Sequence, residues 1–524
     1  MGERKPNGGS MPPTVFILDF GAQYSQLIAR RTRELGVYCE IVPYDVAWST
    51  LAQRNPAAII LSGGPESTLV PDAPDLDTQI LASGLPLLGI CYGMQLVARH
   101  LGAKLVKLEH AEYGPATLTS VESDSPFLQD VPLRSRVWMS HGDSVVELPP
   151  GFVELGSTPR CNVAAMGDER RKIYGVQFHP EVVHTESGIT MLANFLHGIA
   201  GLGDDWKMEN FVDRAIPEIR EQVGKDKVIC ALSGGVDSAV AATLVSRAIG
   251  EQLTCIFVDH GLLRKGEAQS VLAAFREVMH LTVIAVDARE RFLKKLEGVE
   301  DPERKRIIIG HEFIAVFEEE AAKIPGVKYL VQGTLYPDVI ESKTPGSKAG
   351  HKIKSHHNVG GLPEEMEFKL IEPLRALFKD EVRELGRVLG LPEHIVQRQP
   401  FPGPGLAVRI IGDITPDRLE IVRSADAIVR EEIDGAKGLD PHPWQYFAVL
   451  TPVRSVGVMG DGRTYANLVA VRAITSEDGM TADWARLPHE LLERISTRIV
   501  NEVQGVNRVA YDITSKPPAT VEWE

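Results

Sequence analysis

Cysteine is scarce in this chain, with five among 524 residues. An odd number of cysteines, scattered and without a paired metal-type spacing, argues against a disulfide framework and against a zinc site. Free thiols are typical of proteins in a reducing compartment, so a cytoplasmic location is expected. The five positions are Cys39, Cys91, Cys161, Cys230 and Cys255.

Long hydrophobic runs and an excess of positive charge are also absent. No stretch supplies the roughly 18 uninterrupted apolar residues that a transmembrane helix needs. Residues 1–13 contain Gly, Pro and charge without the apolar core of a signal peptide, which predicts a disordered tail. The 56 basic residues are outnumbered by 71 acidic ones, giving a net charge of −15. This balance disfavours a nucleic-acid partner, as the missing hydrophobic run disfavours a membrane partner.

The composition that is present is that of a globular protein, with 44% hydrophobic and 24% charged residues. Its length suggests about three domains. Apolar runs bounded by Gly or Pro alternate with helical spacing over residues 14–203, and again over 204–399. Over 400–524 the strands become longer and the alternation ends. We predict an α/β fold with two doubly wound, mainly parallel sheet domains followed by a smaller α+β C-terminal domain.

The stretch "LLGICYGMQL" carries the first chemical signal. An apolar strand that runs into Cys91, with glycines on both sides and a helical pattern after it, predicts an elbow that exposes a nucleophile. The helix N-terminus favours thiolate over thiol. In "VQFHPE", at the end of a later strand, His179 is the candidate base and Glu181 its orienting partner. The N–H groups of Gly64 and Tyr92 are predicted to form the oxyanion hole.

The pair "CYGMQ" and "FHPE" closely resembles the class I glutamine amidotransferases. That resemblance implies that Cys91 attacks the side-chain amide of glutamine, that His179 protonates the departing ammonia, and that water hydrolyses the thioester to glutamate. It also implies that Gln95, and His141 with Asp143 in "SHGD", help to hold the substrate. The domain over 14–203 is therefore expected to produce ammonia.

The stretch "ALSGGVDSAV" is the second signal, a strand followed by a Gly-rich turn and a helix. Its N–H groups and hydroxyls would hold an anion at the helix N-terminus. Without the lysine of a Walker loop, the turn suits pyrophosphate as a leaving unit better than transfer of a γ-phosphoryl group. Asp237 is the candidate magnesium ligand, because hard oxygen donors suit that ion. The predicted ATP-binding residues are Ser233, Gly234, Gly235, Val236, Asp237 and Ser238.

This turn resembles the PP-loop of the N-type ATP pyrophosphatases, which adenylate a carbonyl oxygen and then displace AMP with a nucleophile. The resemblance implies ATP with Mg²⁺ and places "FVDHG", residues 257–261, in the adenosine pocket. The Gly-rich, basic segment 341–361 is open to three interpretations: a solvated loop, a lid over phosphates, or a nucleic-acid patch. A metal cluster of His351, His356 and His357 is disfavoured, because proximity in sequence sets no coordination geometry.

Three stretches of the C-terminal part resemble the glutamine-hydrolysing GMP synthetases: "QPFPGPGLAVRIIG", "SVGVMGDGRTYANLVAVRAI" and "YDITSKPPATVEWE". The order of the regions matches that family over about 14–524. The resemblance implies a carbon–nitrogen ligase that converts xanthosine 5′-monophosphate (XMP), ATP and glutamine to GMP, AMP, pyrophosphate and glutamate. It also implies a homodimer. The expected XMP contacts are Arg306, Arg463, Lys516 and Glu522, since cations suit a phosphate and a carboxylate accepts from purine N–H groups.

Two other function classes remain open from the sequence. The same folds could serve as a non-catalytic nucleotide-sensing scaffold, but the presence of Cys91, His179, Glu181 and Asp237 together argues against that class. A glutamine-dependent tRNA-modifying ligase would present a basic face to its substrate, which a net charge of −15 does not favour.

Overall fold

The computed structural model describes residues 13–22, 24–343, 368–459, 462–476 and 481–524. The chain forms two compact units, Met1–Phe211 and Val212–Glu524. The tail expected over 1–13, apart from its last residue, and the segment 344–361 with its three histidines lie outside the described residues. No helix within the described ranges combines the length and the apolar content needed to cross a bilayer.

The first unit is built on one large sheet and one separate ribbon. Its strands are β1 (Thr14–Asp19), β2 (Cys39–Pro43), β3 (Pro56–Leu61), β4 (Leu87–Ile90), β5 (Lys104–Thr117), β6 (Ser120–Val121), β7 (Arg136–Glu147), β8 (Val153–Ser157), β9 (Ala165–Asp168) and β10 (Ile173–Val176). The sheet has the order β2-β1-β3-β4-β10-β9-β8-β6, while β5 and β7 pair only with each other. Strands β2, β1, β3, β4 and β10 run parallel, and β9, β8 and β6 extend the sheet in antiparallel fashion.

Helices cover this sheet because its parallel strands are apolar on both faces. They are α1 (Ser25–Glu34), α2 (Trp48–Ala52), α3 (Tyr92–His100) and α4 (Gly188–Ala193). Gly36 follows α1 with a left-handed φ of +74°, a conformation that commonly ends a helix. Phe16, Leu18 and Ile59 are fully buried in the core beneath the helices. The carboxyl ends of β3 and β4 meet at one edge of the sheet, where Gly64 and Cys91 follow them.

The second unit contains two sheets. Its strands are β11 (Lys227–Leu232), β12 (Leu253–Asp259), β13 (Val283–Asp287), β14 (Val327–Val331), β15 (Lys369–Ile371), β16 (Gln445–Met459), β17 (Gly462–Thr475), β18 (Asp483–Trp484) and β19 (Val506–Asp512). The first of these sheets is parallel throughout, in the order β13-β12-β11-β14-β15. In the second, β16 and β18 lie antiparallel to β17, and β19 lies parallel to it.

The helices of the second unit surround both sheets. They are α5 (Met208–Val223, which begins before the boundary), α6 (Val236–Ile249), α7 (Glu267–Ala273), α8 (Arg289–Leu296), α9 (Pro302–Ala321), α10 (Tyr336–Lys343), α11 (Lys379–Val388), α12 (Glu393–Val396), α13 (Pro416–Asp434) and α14 (His489–Glu502). One hydrophobic cluster contains Ile256 of β12 and Val469 of β17, with Leu406 from the segment between α12 and α13. The two sheets therefore share a core. The predicted fold class is confirmed, while the domain boundaries at 14–203, 204–399 and 400–524 remain predictions.

Candidate active site

Cys91 lies directly between β4 and α3 in a strained turn. Its backbone has φ +52° and ψ −104°, a conformation that costs a residue with a side chain about 1–3 kcal/mol. The flanking glycines are needed for close approach: a Cβ on Gly89 would lie 2.6 Å from the Met94 nitrogen, and one on Gly93 would lie 2.5 Å from the Leu61 oxygen. The turn was predicted to depend on these glycines, but the positive φ belongs to the cysteine itself.

His179 and Glu181 form a buried pair beside Cys91, joined by 2.7 Å between Nδ1 and Oε1. They lie in the loop that follows β10, whereas the sequence placed them at the end of that strand. Burial lowers the pKa of His179, but the charge of Glu181 and hydrogen bonds to Cys91 and Glu181 outweigh it and raise that pKa to about 10. His179 therefore carries its proton at neutral pH. The stability gained is fully present below the unfolded pKa of about 6.5 and is lost as the pH rises through about 10.

The loop after β3 runs alongside this pair. A Cβ on Gly63 would lie 3.1 Å from the His179 Cε1 atom and 3.9 Å from the Cys91 Cβ atom. The next residue, Gly64, packs against Tyr92, whose Cγ atom would lie 3.1 Å from an added Cβ. Tyr92 is the first residue of α3, so its N–H has no acceptor within the helix. The structure thus brings both predicted oxyanion-hole residues to Cys91, and the role of their N–H groups remains a prediction.

The side-chain amides of Gln95 and Gln177 form a hydrogen-bonded chain that ends at the Cys91 sulfur. Gln95 Nε2 donates to the Asp143 carbonyl oxygen (2.9 Å) and to Gln177 Oε1 (3.1 Å). Because that carbonyl can only accept, the orientation of both amides is fixed, and Gln177 Nε2 donates to Cys91 Sγ over 3.7 Å. The Cys91 Sγ atom lies 3.3 Å from the Ser140 carbonyl oxygen. Sequence reasoning missed Gln177, although it lies two residues before His179 in the quoted motif.

The predicted substrate residues of the "SHGD" stretch are tied to the β5–β7 ribbon. His141 Nδ1 lies 2.9 Å from the Asp143 carbonyl oxygen, and its Nε2 lies 3.3 Å from the buried carboxylate of Glu112. The Asp143 carboxylate accepts a hydrogen bond of 2.5 Å from the Ser67 hydroxyl. These contacts bring the stretch and the Gln95 amide together, and their role toward glutamine remains a prediction.

Replacing Gln177 by leucine is expected to slow glutamine hydrolysis by about ten- to a hundred-fold, since a hydrogen bond to a charged group is worth about 1.5–3 kcal/mol. The measurement is the rate of glutamate formation from glutamine, compared with the rate of GMP formation from added ammonia. Gln53→Leu, at an exposed position, is the matched control. An unchanged rate of glutamine hydrolysis in a variant that still uses added ammonia would contradict this role.

The PP-loop, residues 233–238, is a tight turn at the carboxyl end of β11. Gly234 has φ +75°, and Gly235 precedes α6, whose first residue is Val236. The hydroxyls of Ser233 and Ser238 lie 3.2 Å apart, and the Gly235 N–H donates to the first of them at 3.3 Å. Because β12 and β14 lie on opposite sides of β11, this end of the strand is the switch point of the sheet, where ligands of such folds bind.

Asp237, in the first turn of α6, is paired with a lysine that the sequence analysis did not select. Lys379 Nζ, at the start of α11, lies 2.6 Å and 2.5 Å from the two carboxylate oxygens. The Asp237 side chain is 31% exposed, so it fits Mg²⁺, which commonly takes one or two carboxylates together with phosphates. In the described part of the chain no three His, Cys, Asp or Glu side chains cluster as a metal site. A magnesium ion here would depend on Asp237 and nucleotide phosphates.

The predicted adenosine-pocket residues close the end of β12. Gly261 has φ +77°, and its N–H donates to the Asp259 carboxylate at 2.9 Å. Burial lowers the pKa of His260 to about 4, so the ring is neutral and its Nδ1 accepts from the Leu262 N–H at 3.1 Å. The carbonyl of Gly261 accepts from Arg423 of α13 at 2.7 Å. These bonds fix the turn, and its contact with adenosine remains a prediction.

Two of the predicted XMP residues meet the final residues of the chain. The Glu522 carboxylate accepts from Arg409 at 2.9 Å and 3.1 Å, and from Gln445 Nε2 at 2.9 Å. Arg306 of α9 donates to the main-chain oxygen of Glu524 at 2.6 Å. Glu522 thus belongs to the C-terminal segment, and Arg306 of α9 contacts the same segment two residues further on, at Glu524.

The same segment is anchored on both sides. Lys305, fully buried beside Arg306, has its Nζ atom 2.5 Å from the Glu524 carboxylate and 2.6 Å from the Ile410 carbonyl oxygen. The main chain of Lys516 exchanges two hydrogen bonds with Ala482, at 2.8 Å and 3.0 Å. These contacts give the "SKPPATVEWE" stretch a fixed path.

Arg463, the fourth predicted XMP residue, lies at the far end of the β16–β17 hairpin. It pairs with Val458 near the tip, whereas Gln445, which holds Glu522, pairs with Ile474 near the base. At about 3.3 Å per residue the two positions on β17 are separated by about 36 Å. Within one chain the structure therefore does not bring Arg463 to the other predicted contacts.

Family models of known proteins match three parts of the chain. Residues 16–199 match "Glutamine amidotransferase class-I", residues 207–298 match "NAD synthase", and residues 431–523 match "GMP synthase C terminal domain". The order of these matches is the order of the three groups of motifs.

Relatives of nearly the same length are similar over almost the whole chain. "GMP synthase [glutamine-hydrolyzing]" of Geobacillus kaustophilus is 61% identical over 510 residues, covering 97% of this chain and 99% of the relative. The enzyme of the same name from Bacillus cytotoxicus is 59% identical, covering 98% and 99%. That from Thermomicrobium roseum is 60% identical, covering 98% and 96%.

Proposed function

Because the chain belongs to the family of glutamine-hydrolysing GMP synthases, we propose a residue for each step of that reaction. The reaction is the ATP-dependent amination of XMP to GMP with ammonia from glutamine, through an adenylated XMP intermediate, with release of AMP, pyrophosphate and glutamate. The chain is accordingly a carbon–nitrogen ligase of purine nucleotide biosynthesis. The observation that carries the residue roles is the pairing of a Cys-His-Glu site in one unit with a PP-loop in the other.

In the glutaminase half-reaction, the Cys91 sulfur attacks the side-chain amide carbon of glutamine. The imidazolium of His179 gives its proton to the departing ammonia, and Glu181 holds the ring in place. The N–H groups of Gly64 and Tyr92 donate hydrogen bonds to the developing oxyanion. Water then attacks the thioester carbon and gives a proton to the now neutral His179, the Cys91 sulfur leaves, and glutamate is released.

In the ligase half-reaction, the PP-loop holds the β- and γ-phosphates of ATP at the N-terminus of α6. The 2-oxo oxygen of XMP attacks the α-phosphorus and pyrophosphate departs. Ammonia then attacks the ring carbon, and AMP leaves with the oxygen. Mg²⁺ bound with ATP supplies neutralisation of phosphate charge, and Asp237 is the side chain that would hold it. Lys379 would then be released from that carboxylate to face the phosphates.

For XMP we propose Arg306, Lys516 and Glu522 of the same chain as contacts. Arg409, which is fully buried, grips the Glu522 carboxylate with two nitrogens and so orients it. An oriented carboxylate suits the purine edge, and the two cations suit the phosphate.

Lys516→Ala and Glu522→Ala are each expected to raise the XMP concentration needed for half-maximal pyrophosphate release by about ten- to a hundred-fold. ATP binding and isolated glutaminase activity should change little. The measurement is a titration of XMP in the presence of ATP, Mg²⁺ and glutamine, following GMP, AMP and pyrophosphate. Glu502→Ala, at an exposed position on α14, is the control. AMP release that does not depend on XMP in the parent enzyme would refute the substrate assignment.

We also propose a cytoplasmic homodimer. All five cysteines are free and buried, in keeping with a reducing compartment. The tip of the β16–β17 hairpin exposes apolar side chains: Val456 is 59% exposed, Val458 73% and Tyr465 60%, which suits a protein–protein contact. Arg463 lies at this tip, about 36 Å along β17 from the segment that holds Glu522. An XMP contact by Arg463 would therefore come from the second copy.

A further inference from the structure

A cavity of about 230 Å³ lies against the PP-loop, between Gly234, α7, α12 and α13. Four cationic side chains line it, and among its described lining residues the carboxylate is Glu267. The lining cations are Arg264, Lys265, Arg398 and Arg430. Ser270 adds a hydroxyl and His394 an imidazole. Lys265 is exposed, but Arg264 is buried and Arg398 is mostly buried, and cations in such positions are normally paired.

The negative charges near the cavity are already engaged. The Glu267 carboxylate is ion-paired with Arg398 and accepts a hydrogen bond from the main-chain N–H of Arg264 at 2.8 Å. Behind the cavity Asp426 is shared between two guanidinium groups, lying 3.5 Å from Arg264 and 3.2 Å from Arg409. Neither carboxylate is therefore left to neutralise a further cation.

Unfilled hydrogen-bond donors remain in this lining. Arg264 is 4% exposed; its Nε atom faces the Asp426 carboxylate at 3.5 Å, and its Nη2 atom has no hydrogen-bond acceptor in the described part of the chain. Arg430 likewise has no hydrogen bond or ion pair among the described residues. Burial, and then the charges of Arg264 and Arg430, lower the pKa of Arg398 to about 9, as mutual repulsion predicts. A buried guanidinium with empty donors is costly unless an anion fills them.

We propose that this cavity binds a small phosphate anion, separate from the nucleotide held by the N–H groups of the PP-loop. Guanidinium forks match phosphate oxygens in geometry and charge. The volume is below the roughly 300–1,000 Å³ of pockets that enclose drug-sized ligands, which favours a small anion over a whole nucleotide. Two sources share this chemistry: inorganic phosphate and the pyrophosphate that the reaction releases.

An anion bound in the cavity would also affect the PP-loop. Arg398 donates to the Gly234 carbonyl oxygen, on the backbone of the loop, and at the same time lines the cavity. A phosphate in the cavity would compete with that carbonyl and with Glu267 for the same guanidinium. Occupancy of the cavity and the conformation of the loop are thereby linked through one side chain.

The test is calorimetric titration of the full chain after the PP-loop has been saturated with Mg²⁺ and a non-hydrolysable α,β-methylene analogue of ATP. Inorganic phosphate and pyrophosphate are then added in separate titrations. One site per chain is expected, and the tighter of the two anions identifies the source. Arg430→Gln should weaken binding at least tenfold, because Arg430 lines the cavity without contacting the loop. Arg494→Gln removes the same charge from an exposed pair with Glu432 and should leave binding unchanged.

Lys265→Gln, at an exposed position of the lining, provides a second variant should Arg430→Gln unfold. Weakened anion binding in either folded variant, with unchanged affinity for the ATP analogue, supports the proposal. Failure of the parent chain to bind either anion overturns it. Equal binding by parent and variants would mean an adventitious ion only. An equal loss of ATP-analogue affinity would mean that the cavity belongs to the nucleotide site, which also overturns the proposal.

Discussion

Cys91→Ala is expected to abolish GMP synthesis from glutamine while synthesis from added ammonium salts continues. Without the sulfur no thioester forms, and loss of a covalent nucleophile costs on the order of 10⁴-fold or more. The ligase site, in the other unit, still adenylates XMP and still reacts with free ammonia, which becomes more abundant as the pH is raised. The measurement is the rate of GMP formation with glutamine and with ammonium chloride at two pH values.

Cys39→Ala is the matched control for this variant. Cys39 is a buried free cysteine whose thiol contacts the Ala29 carbonyl oxygen and is not part of the predicted glutaminase site. It should retain both activities. A folded Cys91→Ala protein that used glutamine, or that could not use ammonia, would show that the ammonia-producing site has been wrongly assigned.

Asp237→Asn is expected to lower pyrophosphate release by about 10²–10³-fold with either nitrogen source, a loss typical of removing one electrostatic anchor of a transition state. Asparagine has nearly the same shape as aspartate but lacks its negative charge. In the parent chain both carboxylate oxygens of Asp237 contact Lys379. Magnesium and the leaving phosphates would lose the same anchor. Glutaminase activity should survive in part. Pyrophosphate and AMP are measured as products.

Lys379→Met tests the role of the lysine separately from that of the Asp237 carboxylate. If Lys379 turns to the phosphates once ATP is bound, its loss should slow the ligase reaction even though Asp237 is intact. Asp226→Asn, which breaks the surface pair with Lys328, is the control and should be nearly neutral. ADP and orthophosphate as products of the parent enzyme would indicate γ-phosphoryl transfer and refute the reading of the PP-loop.

The central strands of both parallel sheets could be predicted from the sequence. Stretches such as "TVFILD" and "KVICAL" are continuous apolar runs, as strands buried on both faces must be, and they became β1 and β11. The β5–β7 ribbon escaped prediction. Strand β5 is exposed over most of its length, so no regular alternation of buried and exposed residues marks it.

The residues of the candidate site could be predicted where they lie together in one sequence motif. They could not be predicted where the fold brings them together from distant parts of the chain. His179 and Glu181 are two positions apart, and "FHPE" named both. Lys379 reaches Asp237 from 142 positions away, and no local pattern could connect them. Ser140 contributes a carbonyl oxygen, which every residue type possesses, so its identity carried no signal. Gln177 was within the quoted motif, but only the orientation of Gln95 showed what its amide does.

The strained backbone at Cys91 limits which sequences can occupy this turn. Glycine would adopt φ +52° without penalty but has no sulfur, and any other side chain would keep the strain and lose the thiol. Position 91 is thus a point where selection for stability and selection for catalysis favour different residues. Glycine at this position would mark a descendant that has lost its ammonia-producing reaction and retained its fold.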